Sequence, residues 1–473
     1  MEVNLNAFDE LCTRVSSEID NRNLRTRSRT ESELARFEYA VKYLLTDLWK
    51  TYHKHPEAEC TINKRSGYYS ENDRYRDPNL TYKMTIKQAF QGLIDLDLIR
   101  ITKDGYYCRI KMQGNLTRYK PTYRLRELLQ DIKGHPAVLL KPNLDSENII
   151  LRNKINGRRF LQRYDDNKDT EIWRDNLRKI NSCFSRHIID IYLNDDQFTK
   201  LQDELLIDND NEPIDLTQKL LVRIFTNKSF ESGGRFFRGW WQNVPKHYRQ
   251  FITIDGKNTR EFDFSQLNPN MIYDRYNYEL GSEDAYDRVL DGQHRDVVKQ
   301  AFNAMLQAEK SLNQKPDDIN LDEVGLSWKE LKEAILASHK PIQDLFFKGI
   351  GNRLQFEDSC IAENIMLQFT GYNAPALPIH DSFIMHHGYS AYDELEEAMR
   401  RAYHDRFKSG FKDNKELVKE VIHKPKEREK PKINDPNNIE WDNIEFDHLM
   451  EKRQEYSKWN NRNDDWIKKV YNK

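Results

Sequence analysis

Residues 261–273 read EFDFSQLNPNMIY, and residues 377–385 read LPIHDSFIM. Each is a short apolar run of strand length, interrupted by one aspartate: Asp263 in the first and Asp381 in the second. Ser265-Gln266 and then Pro269 close the first run, and His380-Asp381 breaks the second into a strand-turn-strand. Two aspartates on neighbouring strands can bridge a pair of Mg²⁺ ions about 3.5–4 Å apart, the arrangement used for in-line phosphoryl transfer. Mg²⁺ takes few carboxylates and fills its remaining positions with water and phosphate oxygen. No zinc-type Cys or His set accompanies either aspartate, so the expected cofactor is two Mg²⁺ ions, with Mn²⁺ as the alternative.

Working outward, residues 252–264 (ITIDGKNTREFDF) read as a hairpin turning at Asp255-Gly256. Helical signals dominate 283–310 and 327–370. Within the first, HRDVVKQAFNAML (294–306) sets Arg295 and Lys299 four apart, so a helix projects both from one face. A two-pronged cation of this kind suits a triphosphate, and a lysine can also donate a proton to a departing pyrophosphate. The more common meaning of such spacing is a solvated helix face.

The whole chain has 473 residues, enough for about two to four domains. Charged residues make up 32% and aromatics 11%, yet the net charge is only -2, a globular profile rather than a disordered one. No apolar run approaches the ~20 residues of a membrane span, and no partner membrane is expected. The N-terminus, MEVNLNAFDELCTR, is amphipathic and lacks the apolar stretch of a signal peptide. Five cysteines stand apart with no CxxC pair, which points to a reducing, intracellular (cytoplasmic) setting. Neutrality overall conceals basic clusters at 22–29, 118–126, 152–163 and 233–249, interleaved with Tyr, Phe and Trp. Ordinary solvated surface explains any one of them; four together suit phosphate contacts and base stacking in a nucleic-acid groove.

Toward the N-terminus, TESE (30–33) is a capping box opening a helical stripe of Leu34, Phe37, Val41, Leu44, Leu45 and Leu48. Thr85 is the expected cap of a second helix carrying Ile86, Ala89, Phe90, Leu93 and Ile94. LIRITKDGYYCRI (98–110) then reads as two strands joined at Asp104-Gly105, with Lys103 and Arg109 on the hairpin. Helix followed by hairpin resembles a winged helix-turn-helix, the alternative being a small packing module with no nucleic-acid role. Residues 130–230 read as mostly helical, and the Lys-, Glu- and Pro-rich stretch after about 420 as a linker.

GGRFF (233–237) with WWQNVP (240–245), DFSQL (263–267), R-x3-K (295–299) and IHDSF (379–383), in that order, resemble the family A polymerases. That group joins bacterial-type DNA polymerase I with the phage-type single-subunit RNA polymerases. His380-Asp381-Ser382 is similar to the RNA enzymes, and Asp263-Phe264-Ser265-Gln266 to the DNA enzymes. The resemblance covers roughly 230–390 and implies that Asp263 and Asp381 bind the catalytic metals, with the Phe264 carbonyl assisting. It further implies that Arg295 and Lys299 hold the triphosphate, with Gln266 and Asn268 beside the nucleotide. His380 would sit by the primer end, with Arg235, Gln242, Asn243 and Gln355 on template or primer. Asn268 departs from the Glu usual in the DNA enzymes, and the Arg-x3-Lys helix lacks their Tyr-Gly.

The expected fold is therefore α+β: a compact palm, fingers and thumb polymerase with a small antiparallel palm sheet, plus an N-terminal winged helix-turn-helix. The expected divisions are a winged-helix-like module at 1–130, a helical thumb-like region at 131–230, palm and fingers at 231–420, and a charged tail at 421–473. The expected activity is DNA-directed DNA synthesis with nucleoside triphosphates and no proofreading exonuclease, in a phage or mobile-element setting. An RNA polymerase or primase-like enzyme, acting on DNA or RNA, is one alternative; a non-catalytic DNA-binding initiator with a degenerate palm is another. The tail is the expected docking point for a replication protein.

Overall fold

A computed structural model describes residues 5–22, 27–55, 57–69, 74–108, 113–132, 134–155, 157–207, 212–281, 283–322, 324–390, 393–408 and 417–421. Arg109 and the tail beyond 421, with its expected docking role, lie outside the described residues. The described part is a mixed α+β protein built around two hydrophobic cores.

The first core, Phe8 to Leu139, lies between helices and a three-stranded sheet. Thr30 opens helix Glu31–Lys54 with the expected reciprocal cap: its hydroxyl accepts the Glu33 N–H at 3.3 Å, and Glu33 accepts the Thr30 N–H at 2.9 Å. The stripe from Phe37 to Leu48 is buried, while Leu34 at the first turn stays at the surface. Helix Leu5–Arg22 packs across it, with Phe8 stacked on Trp49 at 4.6 Å between ring centres. The sheet places Thr117–Pro121 between Cys60–Ile62 and Ile99–Lys103, all antiparallel.

Two local expectations change here. Thr85 does not cap the second helix; it lies inside a π turn, Tyr82–Ile86, and its hydroxyl donates back to the Thr81 carbonyl at 2.7 Å. Helix Lys87–Asp95 grows directly out of that turn. Nor does the Asp104-Gly105 turn pair the strands on either side of it. Ile99–Lys103 pairs with the distant Thr117–Pro121, and Tyr106–Cys108 pairs with Gln113–Asn115. Burial decides the outcome: pairing with Thr117–Pro121 brings Ile99 and Tyr119 into the core, at 2% and 1% exposure.

The second core runs without interruption from Ile149 to Val418. It therefore spans both the expected helical region at 131–230 and the palm-like region after it. That stretch is not mostly helical either, since Ile149–Ile155, Arg158–Leu161, Ile189–Ile191 and Val222–Phe225 are strands. Their short runs flank the long helix Lys168–Arg186, and its strong periodicity dominates the sequence signal. Three of these strands join Gly233–Phe237 in a four-stranded sheet ordered Gly233–Phe237, Val222–Phe225, Ile149–Ile155, Arg158–Leu161.

The fourth, Ile189–Ile191, edges the central antiparallel sheet. From the far edge that sheet runs Leu377–Ile379, Ser382–His386, Lys257–Phe264, Ile252–Ile254 and Ile189–Ile191, with Val418–Glu420 also on Lys257–Phe264. The expected hairpin at 252–264 is present, and Asp255 (φ 51°) and Gly256 (φ 74°) adopt the left-handed pair that a two-residue turn needs. Helix Gly351–Gly371 packs on the four-stranded sheet and on helices Lys168–Arg186 and Glu394–Phe407. Among the described residues, no helix is long and apolar enough to cross a membrane.

Candidate functional site

Strand Lys257–Phe264 buries Phe262 and Phe264, at 2% and 3% exposure, and alternation leaves Asp263 on the opposite face. Gln266 then enters the left-handed region at φ 52° and swings the chain into helix Leu267–Arg275. The Asn270 amide holds that corner by donating to the Ser265 carbonyl at 2.9 Å. On the neighbouring strand, Ile379 pairs with Ser382, leaving His380-Asp381 as a two-residue turn with His380 at φ 57°. Asp263 lies opposite Ser382, and the Phe264 N–H donates to the Asp381 carbonyl at 3.3 Å. Both aspartates thus stand at one end of the two central strands.

The two carboxylates act on one another electrostatically. Burial raises the Asp263 carboxyl well above the usual carboxylate range, Asp381 raises it further, and Lys299 opposes both. Asp263 Oδ1 is buried with no hydrogen-bond partner among the described residues. An orphaned carboxylate oxygen beside a second carboxylate fits a cation, whose charge would offset both. No group of three or more His, Cys, Asp or Glu is placed to hold a metal among the described residues. Any ion here would draw its other ligands from water and phosphate, as Mg²⁺ does.

Cations approach from two sides. Lys299 projects from helix Arg295–Gln307, exposed and without an ion pair among the described residues. Arg295, one turn earlier on the same helix, is held by carboxylates: its Nη2 meets Asp284 Oδ2 at 2.7 Å, and Asp287 stands 3.7 Å from its Nε. On the opposite side Arg235 Nε donates to Asp358 Oδ2 at 2.7 Å. Burial raises the Asp358 carboxyl, Arg235 opposes that rise, and the charge of Asp381 adds to it.

The remaining expected residues divide by what holds them. Gln266 Oε1 accepts the Ala285 N–H at 2.5 Å. Asn268 Nδ2 donates to Asn303 Oδ1 at 2.9 Å, and Asn303 in turn bonds the buried Tyr286 hydroxyl, which feels the charge of Asp381. The Gln242 amide is committed to the Phe236 and Pro378 carbonyls, both at 3.0 Å, and the Trp241 indole also donates to Pro378 at 3.1 Å. This turn braces the strand that leads into Asp381. Asn243 and His380 are exposed, and Gln355 is half-buried on helix Gly351–Gly371.

Asp358, Asp284, Tyr286 and Asn303 are not singled out by the motifs. The clearest signal was Glu357-Asp358, two adjacent carboxylates between the apolar positions Leu354 and Ile361 of a helical stretch. Ser382 also differs from a ligand-facing group: it is buried and donates to Glu261 Oε1 at 2.6 Å, and Glu261 also takes Arg249 at 3.0 Å.

No protein-family model matches the chain, and no curated protein matches it. Among solved structures the chain is similar to the POL domain of Pol1 from M. smegmatis, in a complex with DNA primer-template and dNTP. Identity is 12% and the TM-score 0.28, over 85% of this chain and 64% of that one. The chain thus spans less than two thirds of that domain's length.

Proposed function

We propose that the chain is a template-directed nucleotidyltransferase, foremost a small DNA-directed DNA polymerase. The observation that carries this reading is the juxtaposition of Asp263 and Asp381 at adjacent strand ends, one oxygen buried and unpartnered, with the unpaired Lys299 acting on the same site. Asp263 and Asp381 would hold Mg²⁺, which when bound supplies a clamp on the attacking and departing oxygens.

This chain's residues do the rest by position and charge. A primer 3′ hydroxyl gives up its proton to water as its oxygen attacks the α-phosphorus, and the bond to pyrophosphate breaks. Lys299, solvent-reaching and free of an ion pair among the described residues, neutralises or protonates that leaving group. Arg295 joins it by exchanging Asp284 for a phosphate oxygen. Arg235, kept in place by Asp358, lies beside the Asp381 turn where a primer terminus would stand. Asn268, bonded to Asn303, lies on the helix that follows Asp263, at the expected sugar side.

A palm reading of the central sheet is supported by its antiparallel order and by the aspartates at one end of it. The winged-helix reading of the N-terminal unit is supported by its three-stranded sheet, in which the last strand enters between the first two. Retention of both aspartates with Lys299 favours an active enzyme over a degenerate initiator. Primer extension with separate dNTP and rNTP pools tests the proposal. Template-dependent dNTP incorporation is expected; incorporation of ribonucleotides alone would move the chain to the RNA polymerase alternative, and none of either would reject the reading.

A further inference from the structure

The four-stranded sheet brings together two basic segments that are about 80 residues apart in sequence. Hairpin register sets Lys154 directly opposite Arg159, and Arg152 lies two residues along on the same face, opposite Leu161. Arg238 follows the edge strand Gly233–Phe237 in a backbone conformation of φ 82°, unusual for a residue with a side chain.

None of Arg152, Lys154, Arg159 and Arg238 forms an ion pair among the described residues. Over the whole chain 75 Lys and Arg face 77 Asp and Glu, and most arginines in this half are paired, so an unpaired cationic face departs from the pattern. The cations also act on one another. Burial depresses the Arg152 guanidinium and Arg159 depresses it further; Arg238 is lowered by burial and by Arg152. Like charges directly opposite on a sheet destabilise it. Such a face is relieved by an anion that presents charge at several points in a row.

We propose that this face, Arg152, Lys154 and Arg159, binds the sugar–phosphate backbone of a nucleic-acid strand. Spacing supports a strand over a single phosphate: cations at alternate positions of one strand stand about 7 Å apart, too far to share one phosphate. Contacts of this kind position a strand without reading its sequence. The inference rests on the chain acting on nucleic acid, but it places the grip on side chains other than those assigned to the aspartate site.

The test is binding of a fluorescent oligonucleotide, single-stranded and duplex, to the full chain across a salt series, with a chelator present and no nucleotide. The aspartate site is thereby kept out of the readout. Arg152→Gln, Lys154→Gln and Arg159→Gln combined should weaken binding about tenfold or more near 100 mM salt. The same variant should flatten the slope of log affinity against log salt by about 2 to 3, one unit per lost phosphate contact. Its melting temperature should hold or rise, because repulsion has been removed. Exchanging the charges as Lys154→Arg with Arg159→Lys should keep affinity and slope. Unchanged affinity and slope in the triple variant would overturn the surface and leave the proposed activity standing. Failure of the unaltered chain to bind either form would overturn it too, while primer extension separately judges the activity.

Discussion

Lys299 and Arg295 share a helix face, but the fold treats them differently. Lys299 has no ion pair among the described residues and acts on Asp263; Arg295 is held by Asp284 at 2.7 Å. Lys299→Ala should therefore leave the melting temperature nearly unchanged and lower kcat/KM for nucleotide about a hundredfold, the lower range for a lost proton donor. Arg295→Ala should lose nucleotide affinity and some stability together, since Asp284 keeps its charge without its partner. Steady-state kinetics with thermal melting separate the two; equal stability loss in both variants would contradict the assignment. That Asp263 and Asp381 come to adjacent strand ends was legible in sequence because each interrupts a short apolar strand. Asp284 and Asp358 were not, because their meaning depends on arginines 11 and 123 residues away that only the folded chain brings near.

At the scale of elements, Glu357 ties three helices together. It is 1% exposed, and it takes Arg275 at 2.7 Å, Arg353 at 3.4 Å and Arg406 at 2.5 Å. Glu357→Gln would leave Arg275 and Arg406 facing a neutral group while Arg353 keeps Glu231, and because the arginines are partly solvated it should cost about 1–3 kcal/mol in urea denaturation. A loss below about 1 kcal/mol would show that solvent already screens this cluster.

The sheet edge carries a pH-dependent latch, His187 Nδ1 against Asp255 Oδ2 at 2.5 Å, with Cys183 and His386 also facing the pair. Burial alone would lower His187, but the Asp255 hydrogen bond prevails and raises it from 6.5 to about 9. The raised imidazolium stabilises the fold fully below its unfolded value of 6.5, and that contribution is lost as pH climbs through about 9. On the acid side, the depressed Asp255 contributes above its ordinary 3.8 and is lost as pH falls through its lower folded value. Melting of the chain against Asp255→Asn, which suits the same left-handed turn, should differ most near pH 5–6 and converge above about 9. A gap unchanged at pH 10 would contradict the latch. Adjacent hairpins at 252–264 and 377–386 were readable because the turn residues lie between the paired strands. The pairing of Ile99–Lys103 with Thr117–Pro121 and the strands within 131–230 were not, since burial and distant partners select them.

Across the whole molecule, the two cores meet mainly through polar contacts, Lys54 with Glu212 at 3.3 Å, His55 with Asp203 at 3.1 Å and Arg74 with Asp166 at 3.0 Å, and through small apolar ones, Tyr75 on Ile150, Val222 and Ile224 and Ala137 on the second core. Junctions with few apolar contacts couple folding units weakly. Calorimetry of the intact chain should show two transitions, one for each core, and a single transition with equal calorimetric and van't Hoff enthalpies would contradict that. The α+β class was legible from the mixture of helical stripes and short strands.

The most direct measurement is single-turnover primer extension by Asp381→Asn beside the unaltered chain, with oligonucleotide affinity measured in parallel. Removing one carboxylate of the pair should cost several kcal/mol of transition-state stabilisation, about a thousandfold or more in rate, while oligonucleotide binding stays within about twofold. Near-normal extension by Asp381→Asn would contradict the assignment of Asp263 and Asp381 as the reaction centre.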